Sequence, residues 1–361
     1  MVVGQDSLER KVSPRTELPT LVDELDLAWL QAVLRQPDGR GVRNAEVQRI
    51  IWGTATKVFV AIEWEDSQTS HVCIKGAFDP ALREYLDVGL ACLLESVFYR
   101  HIAPGVGIRL PRCFYAHQDG SSGVVVLEDL ARLGCSFTPP GGDLSLDEVE
   151  QTLTQLATLH AATWGWKALQ VPLLHVGSKS MRKGMAAMGG EGRWEALTTR
   201  PVVEAFLPER YRNQGTVMSA MDRLWSEDDR RADLVVCHGD AHTGQLYFTL
   251  EGHVGLLDWQ SVALMPPIKD VAYFIGGALS VADRRKYERD LLDVYRACLS
   301  SAGAPSLDPE EAWLDYRRQM LQGLIWPLVT EQMQPAEVIA KMNERYLTAL
   351  DDLKSLEALK L

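Results

Sequence analysis

The chain has 361 residues, too long for one small module and suited to two units at roughly 150 residues each. Hydrophobic residues make up 46% and charged residues 24%, the balance of a well-cored protein, which excludes a disordered or collagen-like chain. Lys and Arg number 37 against 49 Asp and Glu, so the net charge is −12 with no long basic run, which excludes sequence-independent nucleic-acid binding.

The amino-terminal residues 1–20 carry Asp6, Glu9, Arg10, Lys11 and Arg15 and lack the apolar core of an export signal. Thr20-Leu21-Val22-Asp23 has the form of a capping box, with Leu25, Ala28, Trp29 and Leu34 supplying a helical apolar face behind it. From Val47 the texture becomes that of strands. Val58-Phe59-Val60-Ala61-Ile62 and Val72-Cys73-Ile74 flank a polar stretch, which predicts a hairpin. Residues 83–101 follow a helical period until Pro104, Gly105 and Gly107 end it, and Val124-Val125-Val126-Leu127 is a further buried strand.

Beyond this point helices dominate. Ser145 and Glu148 cap one that runs to about Trp164. Residues 233–238 and 253–258 read as short strands, joined as a hairpin that suits Gly252. The apolar stretch 271–282 is too short to cross a bilayer. The six cysteines (Cys73, Cys92, Cys113, Cys135, Cys237, Cys298) lie far apart without a C-x-x-C pair, as thiols of a reducing compartment do. A cytoplasmic protein with no membrane partner is expected. The plan is a segregated α+β arrangement, with a strand-rich front and a helix-rich back.

The segment richest in chemistry is Val235-Val236-Cys237-His238-Gly239-Asp240-Ala241-His242-Thr243-Gly244-Gln245. A strand ends in a loop bearing an acid, with an amide five positions on, and a second strand ends at Asp258. Phosphoryl transfer uses such a set. One carboxylate takes the proton of the attacking hydroxyl, while another, with an amide oxygen, holds the metal that bridges the phosphates.

His238-Gly239-Asp240, Asp258 and Asp270-Val271-Ala272 resemble the H-G-D-x-x-x-x-N, strand-Asp and D-x-A motifs of the aminoglycoside phosphotransferase and choline kinase superfamily. Within it the chain looks most like the ecdysteroid-kinase-like branch, through its Glu-x-x-Phe-Tyr-x-x-x-Ala-Pro run at Glu95. The resemblance implies a bilobal protein-kinase-like fold: an N-terminal lobe at 1–127, a hinge at 128–131 and a helical C-terminal lobe at 132–361. It implies Asp240 as catalytic base and Asp258 as metal ligand, with Gln245 where the family has a metal-binding Asn. Lys75, after Val72-Cys73-Ile74, stands for the lysine that contacts ATP phosphates, and Glu95 for its ion-pair partner, with Glu84 as the rival. Gly53 and Thr54 stand at the phosphate loop, which has a single glycine. The backbone of Glu128, Asp129 and Leu130 would read adenine. The cofactors are then ATP and Mg²⁺, and the substrate a small hydroxylated molecule. Eleven residues between Asp258 and Asp270 leave no room for the long activation segment of a protein-directed kinase.

Two other readings stand beside the kinase. Glutamine at 245 is one methylene longer than asparagine, which suits a nucleotide-binding pseudokinase. His238, Asp240 and His242 alternate along an extended segment and could ligate the metal of a hydrolase. For the acceptor, Trp313, Tyr316, Met320 and Leu324 recur at helical spacing. The stripe either packs into the core or borders an acceptor site, and the second case favours an apolar alcohol.

Overall fold

Alternating β-branched and polar residues organise the first of two units in the computed structural model, which describes residues 18–34, 39–85, 88–166, 171, 173–177, 179–188, 190 and 192–361. This unit comprises Met1–Ser96 with Arg112–Asp129, and the second comprises Val97–Pro111 with Leu130–Leu361. The observed class is α+β, an antiparallel sheet in one unit and helices in the other.

The first unit opens with a 3₁₀ turn, Val22–Glu24. The expected reciprocal acid was Asp23, but Glu24 fills that role. Its longer side chain reaches back so that Oε2 accepts the Thr20 and Leu21 amides at 2.5 and 3.1 Å. Asp26 then caps α1 (Leu27–Val33) by accepting the Trp29 amide at 2.7 Å. The sheet contains β1 (Val42–Ile51), β2 (Thr56–Trp64), β3 (Thr69–Gly76), β4 (Cys113–Gln118) and β5 (Gly123–Glu128) in the order β1-β2-β3-β5-β4. The predicted hairpin is β2–β3, with Val58 opposite Ile74 and Val60 opposite Val72. Val58, Val60, Ile62, Val72, Ile74, Val124 and Val126 form one apolar face, packed with Trp29, Leu30 and Phe78. The opposite face of β2 carries the half-buried Lys57, Phe59 and Ala61. After β3 come α2 (Pro80–Tyr85) and α3 (Val88–Val97), where one helix over 83–101 was expected.

At Phe98–Ile102 the helical path widens into a π-helical turn and the chain enters the second unit. Phe98 stacks on Trp259 with ring centroids 3.6 Å apart, and the Arg109 guanidinium donates to the Val254 carbonyl at 2.9 Å. These contacts place residues 97–111 with the second unit.

The second unit continues through β6 (Ser136–Phe137) and α4 (Leu146–Ala162), which has the expected reciprocal cap between Ser145 and Glu148. Helices α5 (Lys179–Met188), α6 (Arg193–Thr198), α7 (Pro201–Glu204) and α8 (Gln214–Asp228) follow. Then come β7 (Val235–Cys237), β8 (Leu246–Phe248), β9 (Val254–Leu256) and β10 (Ala263–Met265). Here the expected pairing is corrected. Gly252, at φ +79°, turns a β8–β9 hairpin, whereas β7 pairs with β10. Three-residue strands give too little periodicity to be seen in sequence, so β8 and β10 went unread. Helices α9 (Pro267–Ala278), α10 (Val281–Ser301), α11 (Pro309–Gln319), α12 (Ala336–Asp352) and α13 (Ser355–Ala358), with a 3₁₀ segment at Met320–Leu328, complete the unit. No helix among the described residues is long and apolar enough to cross a membrane.

Candidate active site

The loop after β7 is held by buried polar contacts rather than by its own length. Gly239 adopts φ +86°, and a Cβ there would lie 2.1 Å from the Ser261 carbonyl oxygen, so only glycine fits. The wholly buried Asp270 of α9 accepts the His238 and Gly239 amides at 2.5 and 3.0 Å. Lys269 closes the turn from the other side by donating to the Gly239 carbonyl. Burial pushes the Asp270 carboxyl up. The His160 ring at 3.4 Å and the Lys269 charge outweigh that, leaving it well below the ordinary carboxylate value.

His238 is fully buried and uses both ring nitrogens. Nε2 donates to the Leu257 carbonyl at 2.7 Å, and Nδ1 accepts the Asp240 amide at 3.3 Å. Burial pushes its pKa down, which keeps the neutral form that this pair of bonds requires. The ring thus ties the Asp240 loop to the strand end that leads to Asp258.

Asp240 leaves that anchored turn with its side chain 39% exposed. Its Oδ1 accepts the Tyr273 hydroxyl at 3.1 Å, and Oδ2 lies 3.7 Å from His242 Nε2. Burial and the Asp240 charge push the Tyr273 phenol well above its ordinary value, so it stays a donor. Behind it the rings of Tyr273 and Tyr346 stack at 5.1 Å, and Trp326 lies 6.5 Å from Tyr346 and 6.0 Å from His242.

Gln245 and Asp258 are brought together by the β8–β9 hairpin. The Leu257 amide donates to the Gln245 carbonyl at 2.8 Å, just beyond the paired Leu246 and Leu256. Asp258 itself has φ +64°, a left-handed conformation that a non-glycine residue adopts at an energetic cost. Both side chains are half-buried.

In the first unit, Lys75 Nζ donates to Glu95 Oε1 at 2.6 Å, with the two side chains 6% and 2% exposed. Residue 84, the rival acid, has a side chain outside those described. At the β1–β2 turn, Gly53 has no φ above zero and no contact that a Cβ would violate. Thr54 beside it is exposed. Glu128 and Asp129 already bond their amides, to the Arg112 and His71 carbonyls at 2.9 and 3.0 Å. Leu130, in the second unit, accepts the Leu133 and Cys135 amides at 3.1 Å.

The profile of the ecdysteroid kinase-like family matches residues 96–303, more than half of the chain. The chain belongs to the ecdysteroid kinase-like family. Its matched region includes Asp240, Gln245, Asp258 and Tyr273 and begins just after Glu95. Similar solved structures include choline kinase from Streptococcus pneumoniae, at 14% identity over 86% of this chain and 94% of that one, with a TM-score of 0.47. Another is a choline/ethanolamine kinase family protein from Mesorhizobium loti, at 16% identity over 92% and 97%, also at 0.47. A third is an aminoglycoside phosphotransferase from Streptomyces rimosus, at 16% over 78% and 92%, at 0.46. No curated protein matches the chain.

In this kinase-like chain the hydrolase triplet does not converge. His238 has both nitrogens engaged, and His242 Nδ1 accepts the Gly244 amide at 3.0 Å. A different cluster, His160, Cys237 and Asp270, brings potential ligand atoms within 4.8 Å of one another. Most of its atoms are engaged, His160 Nδ1 by the Tyr295 hydroxyl, Cys237 by the Met265 and Pro266 carbonyls and Asp270 by two amides, while His160 Nε2 faces Asp270 at 3.4 Å. A carboxylate and an amide oxygen at adjacent strand ends, Asp258 and Gln245, are the donor chemistry that a magnesium ion takes.

Of the two readings of the 313–324 stripe, packing into the core holds for all but the half-buried Trp313. Tyr316, Met320 and Leu324 are wholly buried, and Tyr316 donates to Glu288 at 3.1 Å. The rings beside the exposed carboxylate are instead Tyr273, Tyr346, Trp326 and His242. Sequence reading missed Tyr273 although it follows Asp270-Val271-Ala272 directly. One helical turn from Asp270 was the available signal.

Proposed function

We propose that the protein is an ATP- and magnesium-dependent phosphotransferase acting on a hydroxyl of a small molecule. The observation that carries this is the half-exposed Asp240 carboxylate, oriented by Tyr273 on a loop anchored through Asp270 and His238. Asp240 takes the proton of the acceptor hydroxyl as its oxygen bonds to the γ-phosphorus. The bond from that phosphorus to the β–γ bridging oxygen breaks, and ADP leaves. Lys75, aimed by Glu95, pairs with phosphate oxygens, and the Gly53–Thr54 turn covers them. With the Glu128 and Asp129 amides bonded within the sheet unit, the adenine donor falls to Leu130. Magnesium held by Asp258 and the Gln245 amide oxygen supplies charge neutralisation at the phosphates when bound.

For the acceptor, the aromatic surroundings of Asp240 support an apolar alcohol ahead of a polycationic sugar, because rings offer apolar area. The test is ATP consumption across a panel of sterol-like, linear and aminosugar alcohols, with Asp240→Ala as the blank. Turnover with an apolar alcohol that falls roughly 10²–10⁴-fold in the variant is expected. Equal turnover in both proteins would reject Asp240 as base. ATP binding without turnover on any alcohol would favour the pseudokinase reading that Gln245 raises.

A further inference from the structure

The β2–β3 register sets Lys57 directly opposite Lys75. Directly opposed residues of antiparallel strands project to the same side, so two ammonium groups share the sheet face that α3 reaches with Glu95. This is the only pair of like charges in the β2–β3 ladder, and such a pair is unfavourable in the absence of an anion. Glu95 is bonded to Lys75. Asp129 bonds its amide to the His71 carbonyl, and its charge, like those of Lys57 and Lys75, acts on the Cys73 thiol between them. Among the described residues no carboxylate or hydrogen-bond acceptor partners Lys57, although its side chain is half-buried. A partly desolvated, unpartnered cation is costly unless something anionic joins it. Lys57 is also the second residue of β2, directly after the 52–55 turn. That turn has one glycine, fewer than the glycine-rich loops whose backbone amides gather phosphate.

We propose that Lys57 is a second polyphosphate-binding cation, acting with Lys75 on the nucleotide and supplying as side-chain charge what the glycine-poor turn does not supply as backbone dipole. This rests on the nucleotide-dependent reading above.

Calorimetric titration of the full chain with Mg-ATP, Mg-ADP, AMP and adenosine, in wild type, Lys57→Met and Lys57→Arg, tests it. Lys57→Met should weaken ATP by about ten- to a hundredfold, ADP by less, and adenosine not at all. Lys57→Arg should retain most of the ATP affinity. Without ligand, Lys57→Met should melt no lower than wild type, since it relieves a like-charge pair. Its ATP-induced rise in melting temperature should shrink. ATP bound equally by wild type and Lys57→Met, or adenosine weakened as much as ATP, would overturn the role of Lys57 while leaving nucleotide binding intact. A wild type that binds adenosine but gains nothing from added phosphates would also overturn it. Wild type that binds none of the four would remove the nucleotide reading itself, and this assignment with it.

Discussion

The Tyr273 hydroxyl occupies Oδ1 of Asp240 and leaves Oδ2 for another proton. Tyr273→Phe keeps the ring stacked on Tyr346 and removes only that donor. Hydrogen bonds to charged groups contribute about 1.5–3 kcal/mol. We therefore expect kcat to fall roughly tenfold or more, with nucleotide affinity and melting temperature unchanged. A change in nucleotide KM with constant kcat would show that the phenol does something else. Gln245 allows a second comparison. Its backbone is fixed by Leu257, so only the side-chain length differs from asparagine. Gln245→Asn should keep or raise turnover and lower the Mg²⁺ concentration needed for half-maximal activity. A higher Mg²⁺ requirement would mean that the loop has adjusted to the longer amide.

At the scale of elements, α8 ends in a buried acid. Burial pushes the Asp228 carboxyl from 3.8 up to about 7, against the pull of the Gln319 amide that donates to both its oxygens at 2.8 and 3.0 Å. Asp315, Arg231 and Asp229 are the charged groups acting on it. The folded state therefore holds this proton where the unfolded chain has already lost it. That stability is full below the ordinary carboxyl value and declines as pH rises to about 7. Asp228→Asn removes the titration. Its melting advantage over wild type should grow from pH 5 to pH 7 and level off above. A gap independent of pH over that interval would contradict the assignment. The β7 loop makes a steric prediction: Gly239→Ala forces a Cβ onto the Ser261 carbonyl, so it should abolish turnover and lower the melting temperature. Normal turnover in that variant would mean the turn can reshape.

For the whole molecule, the six cysteines are free thiols, with Cys92 and Cys237 buried. Burial pushes Cys73 and Cys113 up to about 12, so neither offers much thiolate at neutral pH. Melting should be the same with and without reductant. Thiol titration should count six groups in denaturant and react slowly in the native state. A reductant-sensitive transition would show that a disulfide contributes to stability.

Local features were legible in the chain. The valines of β2 and β5 alternate or run continuously, the Ser145–Glu148 box marks a helix start, and the acids at 240 and 258 lie within three residues of apolar runs. Each of these is written within a few neighbouring residues, where local sterics and burial act. Pairing was not written there. Two three-residue strands, β8 and β10, carry no periodicity of their own, and only tertiary pairing sets Gln245 beside Asp258. The same holds for Tyr273 against Asp240, for the return of 97–111 to the helical unit, and for Lys57 opposite Lys75. In every case the partners lie many residues apart, and a contact between them depends on register and long-range packing, which no short window of sequence encodes.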